Sequence, residues 1–177
     1  KKNFEILLLT ANKNSKELLA QIKKFNVRNV IIKDPEKFKQ LKKQLKFKNI
    51  KVFNNYDSLS KILKNKKADY TMNAITGLEG LKPTLKIIKY SNKIAIANKE
   101  AIICGWTLIN NQLRKYKTNF IPIDSEHFSI WELINKAKND NIEKVFITAS
   151  GGPFNKLSLK RFKSITPKQA LNHPNWK

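Results

Sequence analysis

Short apolar runs alternate with segments of helical pattern along most of this sequence. Each run is short enough for a strand, and the segments between them repeat apolar side chains every three or four positions. Such alternation is typical of a parallel sheet whose strands are connected by helices. The sequence therefore predicts an α/β fold with a parallel sheet and helices on both faces. The predicted strands are 4–10, 30–32, 50–53, 70–74, 93–97, 119–123 and 144–148, and the predicted helices are 15–24, 35–44, 58–64, 83–90, 100–115 and 126–138.

The sequence pattern changes near residue 120, where the alternation of predicted strands and helices is replaced by more closely spaced polar motifs. No internal repeat and no linker rich in Pro, Gly or Ser marks a sharper boundary. We therefore predict two domains, 1–120 and 121–177, the second being the start of a further α/β domain. The sequence has no GxGxxG turn. Either the first domain binds no dinucleotide, or the chain begins one strand–helix unit too late for that turn.

The formal net charge is +23, from 36 Lys and Arg against 13 Asp and Glu, and such a charge suggests an anionic partner. Only three of the basic residues are Arg, and Lys and Asn are spread along the whole chain. This spread is typical of codon bias, whereas nucleic-acid binders concentrate Arg and aromatic side chains in one patch. A non-catalytic module that binds nucleic acid is the alternative function, and the composition disfavours it.

Membrane and disulfide chemistry are not indicated. No apolar run approaches the roughly 20 residues that a membrane-spanning helix needs, so we predict no membrane partner. The single cysteine, Cys104, excludes an internal disulfide and is typical of a reducing compartment. Because Cys104 lies in the apolar segment AIICGW, we expect an inert thiol in the core.

Two polar segments follow predicted strands, at the end where α/β sheets bind ligands. Asn12, Lys13 and Asn14 follow the first strand. If that strand is the second of a dinucleotide-binding sheet, a basic residue there suits the 2′-phosphate of NADP; a plain loop is the alternative. The second segment follows strand 93–97, where its side chains could meet a cofactor or an anion. An ordinary polar junction is the alternative, and the residues are Asn98, Lys99 and Glu100.

Asp124, Ser125 and Glu126 stand in the segment PIDSEH, directly after strand 119–123. Residues two apart on an extended segment point to the same side, so the two carboxylates would converge. Converging carboxylates repel each other unless a cation or a proton joins them. Oxygen ligands favour Mg²⁺ or Mn²⁺ over Zn²⁺. The alternative is a helix start, with Ser125 as the N-cap and acidic residues beside it.

Two later segments also carry groups suited to a ligand. Ser150 and the glycines after it follow strand 144–148 and can present hydroxyl and N–H groups to a phosphate, with a tight turn as the alternative. His173 and Trp176 lie in NHPNW, a segment that fits a lid closing over a ligand. A buried Trp that anchors a loop is the alternative there.

The motifs ANKE, PIDSEH, SGGPF and HPNW, in this order and at these intervals, closely resemble those of 1-deoxy-D-xylulose 5-phosphate reductoisomerase. TGLEGLKPTL and WELI fit the same family, so the resemblance covers essentially the whole chain. It implies a Rossmann-like NADPH-binding domain followed by the first part of a catalytic domain. The implied reaction is the NADPH- and divalent-metal-dependent rearrangement and reduction of 1-deoxy-D-xylulose 5-phosphate to 2-C-methyl-D-erythritol 4-phosphate, in non-mevalonate isoprenoid biosynthesis.

The resemblance also implies a role for each candidate residue. Asp124 and Glu126 are expected to bind Mg²⁺ or Mn²⁺, with Co²⁺ as a further candidate, and to be catalytic together with Lys99. The phosphorylated sugar substrate is expected to contact residues from all the later motifs, namely Lys99, Ser125, Glu126, Ser150, His173 and Trp176. NADPH is expected to contact the polar residues that follow two strands, namely Asn12, Lys13, Asn14, Asn98 and Glu100.

Some parts that the family implies are not in this sequence. The Gly-rich turn is expected before residue 1, and a third carboxylate ligand and a C-terminal helical domain are expected after Trp176. Residues 1–177 alone are therefore expected to be inactive. The family is usually homodimeric, and we expect the same here. Its occurrence in bacteria and plastids, with the Lys and Asn richness, favours the stroma of an apicoplast-type plastid; the bacterial cytoplasm is the alternative.

Overall fold

The structure, a computed structural model, describes residues 4–46, 48–137, 142–147 and 152–172, with the side chain of Glu126 excepted. The chain divides into two compact units, Lys1–Asp124 and Ser125–Lys177. Compactness alone does not establish a domain boundary, so the domains 1–120 and 121–177 remain a prediction.

The first unit consists of short parallel strands connected by helices, and this confirms the predicted α/β class. Its strands are β1 (Leu9–Ala11), β2 (Asn29–Ile32), β3 (Lys51–Phe53), β4 (Ala68–Asn73), β5 (Ser91–Ile96) and β6 (Asn119–Pro122). Its helices are α1 (Ser15–Phe25), α2 (Pro35–Gln44), α3 (Leu59–Ile62), α4 (Leu81–Ile87) and α5 (Lys99–Tyr116). Short 3-10 turns lie at Tyr56–Ser58, Leu78–Gly80 and Ile88–Tyr90.

Helix ends in this unit are set by nearby side chains. Oδ1 of Asp34 accepts a hydrogen bond from the Lys37 N–H at 2.9 Å, and Pro35 begins α2, as the sequence predicts. Helix α1 ends at Phe25 and is followed by its C-cap, Asn26, whose φ of 53° lies in the left-handed region. Asn tolerates this conformation better than most residues, so it stops the helix at little cost.

The strands form two three-stranded sheets, in the orders β1-β2-β3 and β4-β5-β6. Side chains alternate across β2, so Val30 and Ile32 join one apolar cluster with α1 and α2. Ile31 points to the opposite face and joins a second cluster. That second cluster also holds Ile94 and Ile96 of β5 and buried residues of α3, α4 and α5. Helices therefore cover both faces of the first sheet, and the second cluster is shared by both sheets.

The second unit contains short helices in its described part. They are α6 (Ser125–Lys136) and α7 (Pro167–Leu171), with 3-10 helices at Gly152–Phe154 and Leu159–Ser164. A capping box begins α7, because Oε1 of Gln169 accepts a hydrogen bond from the Thr166 N–H at 2.9 Å and Oγ1 of Thr166 accepts one from the Gln169 N–H at 3.4 Å.

Two predicted strands differ from the structure. The strand at 144–148 is wrong: residues 142–147 form no regular element, and residue 148 lies outside the described residues. A strand needs a partner for its backbone hydrogen bonds, and the described part of the second unit contains no other strand. The strand at 4–10 is shorter than predicted, because pairing with β2 begins only at Leu9, opposite Val30.

The expected core thiol is also wrong, because Cys104 is exposed. Helix α5 buries Ala101, Gly105 and Ile109, which follow one another at intervals of four and form one face. Cys104 precedes Gly105 by one position and therefore lies outside this face. The apolar composition of AIICGW did not reveal which of its residues point inward.

Candidate functional site

The candidate site lies at the carboxyl ends of parallel strands in the first unit. In the sheet β4-β5-β6, Asn73 pairs with Ile96 and Ile96 with Pro122, so the three strands end at one edge. The polar segments that follow them are loop 74–80, the residues from Asn98 to Glu100, and Asp124. Residues 12–14 follow β1, in the other sheet of the same unit.

Asn98 is a buried junction between two of these segments, with 3% of its surface exposed. Its Oδ1 accepts a hydrogen bond from the Ala101 N–H at 2.7 Å and so caps α5. Its Nδ2 donates to the carbonyl oxygens of Ile75 and Gly77, the latter at 2.5 Å. Both amide hydrogens of Asn98 are thus used within the protein, and the predicted cofactor contact of this residue remains a prediction.

Asn73 and Thr84 hold the same loop from its other side. Oδ1 of Asn73 accepts a hydrogen bond from the Ile75 N–H at 3.1 Å, while its Nδ2 donates to Gly80 O at 3.2 Å and to Oγ1 of Thr84. The Thr84 hydroxyl donates to Gly80 O at 2.7 Å. Asn73 and Thr84 are 5% and 0% exposed. These buried polar groups are therefore satisfied by the loop itself.

Two glycines make this close packing of the loop feasible. Gly77 has φ 68° and ψ −171°, a conformation that is essentially restricted to glycine. Gly80 has no room for a Cβ atom, which would overlap the amide of Asn98 and approach Ile75 O to 2.8 Å. Each glycine of the TGLEG segment thus has a different steric reason to be glycine.

Lys99 and Glu100 are the first two residues of α5, and both are exposed. Asn98, directly before them, caps α5 and also hydrogen-bonds loop 74–80, so both side chains extend from a backbone position that is tied to this loop. Glu100 in the first turn is favourable with respect to the helix dipole. The start of α5 can therefore present the ammonium of Lys99 and the carboxylate of Glu100 to a ligand.

Residues 12–14 begin α1 as well as ending β1. Oδ1 of Asn14 accepts a hydrogen bond from the Glu17 N–H at 3.0 Å and caps the helix. The Asn12 carbonyl accepts one from the Asp34 N–H at 3.0 Å, which ties the loop to the residues after β2. Asn12 and Lys13 are exposed, so their side chains are accessible to a ligand.

Tyr56 connects the end of β1 with loop 74–80. It is half-buried against the second apolar cluster, its side chain hydrogen-bonds that of Thr10, and Glu79 is near enough to act on it electrostatically. Burial raises the pKa of Tyr56 above its ordinary value of 10.0; the bond to Thr10 opposes this rise and Glu79 adds to it. The phenol is therefore neutral near pH 7. Lys33 Nζ lies 5.6 Å from the centre of its ring.

The geometry around Asp124 differs from the predicted one. Strand β6 ends at Pro122 and α6 begins at Ser125, so Asp124 directly precedes a helix and Glu126 lies in its first turn. The prediction that the two carboxylates converge on an extended segment is therefore wrong. The backbone instead matches the alternative interpretation, a helix start. Ser125 is the first helical residue, however, and not the predicted N-cap. Asp124 is half-buried, and its Oδ2 is shielded from solvent.

A divalent metal fits this position in part. Asp124 supplies the carboxylate oxygens that Mg²⁺ and Mn²⁺ prefer, at the carboxyl end of a strand. Among the described residues, no three His, Cys, Asp or Glu side chains lie together as a complete metal site. The side chain of Glu126 lies outside the described residues. The assignment of Asp124 and Glu126 as ligands therefore remains a prediction.

Three further predicted site residues, Ser150, His173 and Trp176, lie outside the described residues, and their roles remain predictions. Ser125 is described, and it is exposed at the start of α6. The structure thus locates the cofactor candidates after β1 and β5, and one metal candidate after β6.

Sequence reasoning missed three residues at this edge, namely Tyr56, Asn73 and Thr84. A signal existed for Thr84, because a threonine inside a helix can bond the carbonyl four residues earlier. Asn73 is a polar residue at the end of a mostly apolar run, which is a weaker signal. No local pattern indicates Tyr56, whose position depends on partners in two other segments.

Two protein-family models match the chain. The model of 1-deoxy-D-xylulose 5-phosphate reductoisomerase matches residues 1–105, and that of its C-terminal domain matches residues 120–177. A reductoisomerase of this name from Pelagibacter ubique is 61% identical over 176 residues, which are 99% of this chain and 45% of the relative. One from Bacteroides thetaiotaomicron is 40% identical over 98% of this chain and 44% of its own length.

Solved structures agree with these matches. The enzyme of that name from Zymomonas mobilis, in complex with NADPH, superposes with a TM-score of 0.77 at 35% identity, over 97% of this chain and 45% of the other. A DOX-P reductoisomerase with NADPH, fosmidomycin and magnesium superposes with a TM-score of 0.73 at 28% identity, over 99% of this chain and 46% of the other. The likeness confirms the Rossmann-like fold class.

The chain spans about 45% of the length of the curated relatives named above. These matches give no support to the alternative of a nucleic-acid-binding module. No helix in the described part of the chain combines the length and hydropathy that crossing a bilayer requires.

Proposed function

Because the chain belongs to the 1-deoxy-D-xylulose 5-phosphate reductoisomerase family, we propose that the gene product containing it rearranges and reduces 1-deoxy-D-xylulose 5-phosphate to 2-C-methyl-D-erythritol 4-phosphate. NADPH and a divalent metal are the proposed cofactors. The observation that carries the proposal is the 61% identity to a curated reductoisomerase over 99% of this chain. The polar edge of the first unit supports it, because α/β sheets hold their ligands at that edge.

The proposed NADPH site combines residues 12–14 with Asn98 and Glu100 at the start of α5. Lys13, exposed at the end of β1, would pair with the 2′-phosphate that distinguishes NADPH from NADH. Asn12 is accessible beside it. Asn14 and Asn98 cap α1 and α5, so their proposed contribution includes fixing the backbone that faces the cofactor. When bound, NADPH supplies the hydride for the reduction.

The proposed metal and substrate site begins at Asp124, whose carboxylate would be one ligand of Mg²⁺ or Mn²⁺, with Glu126 as a second. When bound, the metal polarises the substrate's carbonyl and hydroxyl oxygens. Lys99 would stabilise the negative charge that develops during the rearrangement, because its exposed side chain extends from the first residue of α5, at the carboxyl end of β5. The proposed substrate contacts, including those to its phosphate, are Lys99, Ser125, Glu126, Ser150, His173 and Trp176.

The protein's setting follows from the same proposal. The relatives from Pelagibacter ubique and Bacteroides thetaiotaomicron are bacterial, so we favour the bacterial cytoplasm as its location. The plastid stroma stays a prediction without support among these relatives. A homodimer also stays a prediction, to be tested by light scattering on the gene product. The place in non-mevalonate isoprenoid biosynthesis follows if the proposed reaction is correct.

Replacing Asp124 with Asn in the gene product tests the proposed metal role. Loss of a charged metal ligand should lower kcat by roughly a hundredfold or more, because metal stabilisation of the developing charge is worth several kcal/mol. The measurement is NADPH oxidation with 1-deoxy-D-xylulose 5-phosphate and Mg²⁺, with circular dichroism to check folding. Asp69→Asn is the matched control, since Asp69 lies near the start of β4, at the opposite edge of the same sheet.

Undiminished turnover by the Asp124→Asn variant would overturn the metal assignment. No turnover by the unsubstituted gene product would overturn the proposed function as a whole. The same assay on residues 1–177 alone tests the expectation that this stretch is inactive by itself, and any substrate-dependent NADPH oxidation would contradict that expectation.

A further inference from the structure

The buried side chains of Asn73 and Thr84 form a closed set of hydrogen bonds around loop 74–80. Asn73 holds the start of the loop through the Ile75 N–H at 3.1 Å and its end through Gly80 O at 3.2 Å. Thr84 binds the same Gly80 oxygen at 2.7 Å and also accepts a hydrogen bond from Asn73. Two side chains thus bring both ends of a seven-residue loop together.

The loop held in this way is the one against which Asn98 packs. Asn98 donates to Ile75 O and Gly77 O, and it caps the helix that begins with Lys99 and Glu100. A displacement of the loop would therefore move or release Asn98, and with it the start of α5. The path from Thr84 to the candidate site consists of hydrogen bonds and the short backbone of loop 74–80 that joins them.

A second buried threonine offers an internal comparison. Thr118 is 6% exposed, and its single hydroxyl hydrogen is shared between Ile88 O at 2.8 Å and Ser91 O at 2.9 Å. It lies just before β6 and beside the first residue of β5, so it is at the amino-end edge of the same sheet. Thr84 and Thr118 thus make similar bonds, one at the candidate site and one away from it.

We propose that Asn73 and Thr84 are positioning residues of the cofactor site, which they shape by holding loop 74–80 against Asn98. This inference rests on the proposed function. Removal of the Thr84 hydroxyl leaves Asn73 Nδ2 and Gly80 O each with one partner fewer in a buried region, which loosens the loop. NADPH binding must then order the loop, and the cost of ordering appears in the affinity for the cofactor.

The test uses three variants of the whole gene product, namely Thr84→Val, Thr84→Ser and Thr118→Val. Valine replaces the hydroxyl by a methyl group of similar size, whereas serine keeps the hydroxyl. For Thr84→Val we expect the KM for NADPH to rise about tenfold, because the loss of one buried hydrogen bond changes an affinity by about that factor. The KM for 1-deoxy-D-xylulose 5-phosphate should stay within about twofold of the unsubstituted value. Thr84→Ser should restore the KM for NADPH, and Thr118→Val should leave it unchanged while lowering stability.

Amide hydrogen exchange supplies a readout that does not require activity. The N–H groups of Ile75 and Ala101 donate hydrogen bonds to the side chains of Asn73 and Asn98, and these bonds slow their exchange. Both amides should therefore exchange faster in Thr84→Val than in Thr118→Val at equal global stability. Equal exchange at these amides, or equal KM values for NADPH in the two valine variants, would overturn the inference. Failure of the unsubstituted protein to use NADPH would overturn the proposed function instead, and the exchange result would still report whether Thr84 holds the loop.

Discussion

The first unit, Lys1–Asp124, encloses two apolar clusters, whereas none of the described side chains of the second unit, Ser125–Lys177, is buried. Both units contain apolar residues at helical or strand-like spacing. In the first, residues such as Ile31, Ile94 and Ile109 are fully buried. In the second, Leu133 is 71% exposed, Phe146 79% and Leu159 82%.

The two units differ in whether their described apolar side chains are buried against other elements of the same unit. Every strand of the first unit has a neighbour, and helices connect successive strands, so an apolar side chain finds partners within the unit. The described part of the second unit has helices and no strand, and its described apolar side chains are exposed or half-buried. Similar sequence patterns thus have unequal energetic consequences, because burial rather than composition stabilises a fold.

The sharpest test of this comparison replaces one isoleucine in each unit of residues 1–177. Ile94 is 0% exposed and Ile147 is 69% exposed. We expect Ile94→Ala to lower the free energy of unfolding by about 2–5 kcal/mol, because it leaves a cavity in a shared cluster. Ile147→Ala should change it by less than about 0.5 kcal/mol. Urea unfolding followed by circular dichroism measures both, and a comparable loss from Ile147→Ala would break the comparison.

A second test uses pH to examine the packing of the first unit. The pKa of Tyr56 is raised above 10.0 in the folded protein, mainly by burial. The unfolded state therefore loses this proton first, and stability that is fully present below pH 10 is lost as pH rises through the folded pKa. Tyr56→Phe should remove this alkaline loss, as measured by urea unfolding on both sides of pH 10. Tyr70→Phe, at an exposed tyrosine of the same unit, is the control; an identical alkaline loss in the Tyr56→Phe variant would contradict the prediction.

The smallest expected effect concerns a local contact of the second unit. Glu132 and Lys136 form an ion pair one turn apart on α6, with side chains 39% and 74% exposed. Such pairs stabilise a helix by about 0.3–0.5 kcal/mol and weaken with added salt. Glu132→Gln should therefore reduce the helicity of α6 only slightly. A double-mutant cycle with Lys136→Gln measures the coupling, and a value well above 1 kcal/mol would contradict the expectation that this exposed contact contributes little to the second unit.

Local patterns predicted most of the first unit. The strands and helices lie close to their predicted positions, and Pro35 and Pro83, which begin predicted helices, lie in the first turns of α2 and α4. These signals act over three or four residues, so they do not depend on the rest of the fold. The predicted strand at 144–148 failed because a strand requires a partner from elsewhere in the chain.

The sequence alone determined which residues follow each strand, and hence that Asn98, Lys99, Glu100 and Asp124 lie at the carboxyl-end edge of the sheet, where α/β folds generally hold their ligands. It left open whether Asp124 and Glu126 share an extended segment or a helix start, and it did not show that Cys104 lies outside the buried face of α5. Only the tertiary structure brought Asn98 to Ile75, 23 residues away, and Asn73 to Thr84. The physical reason is that periodicity and capping are local, whereas burial and buried hydrogen bonds depend on segments that are distant in sequence.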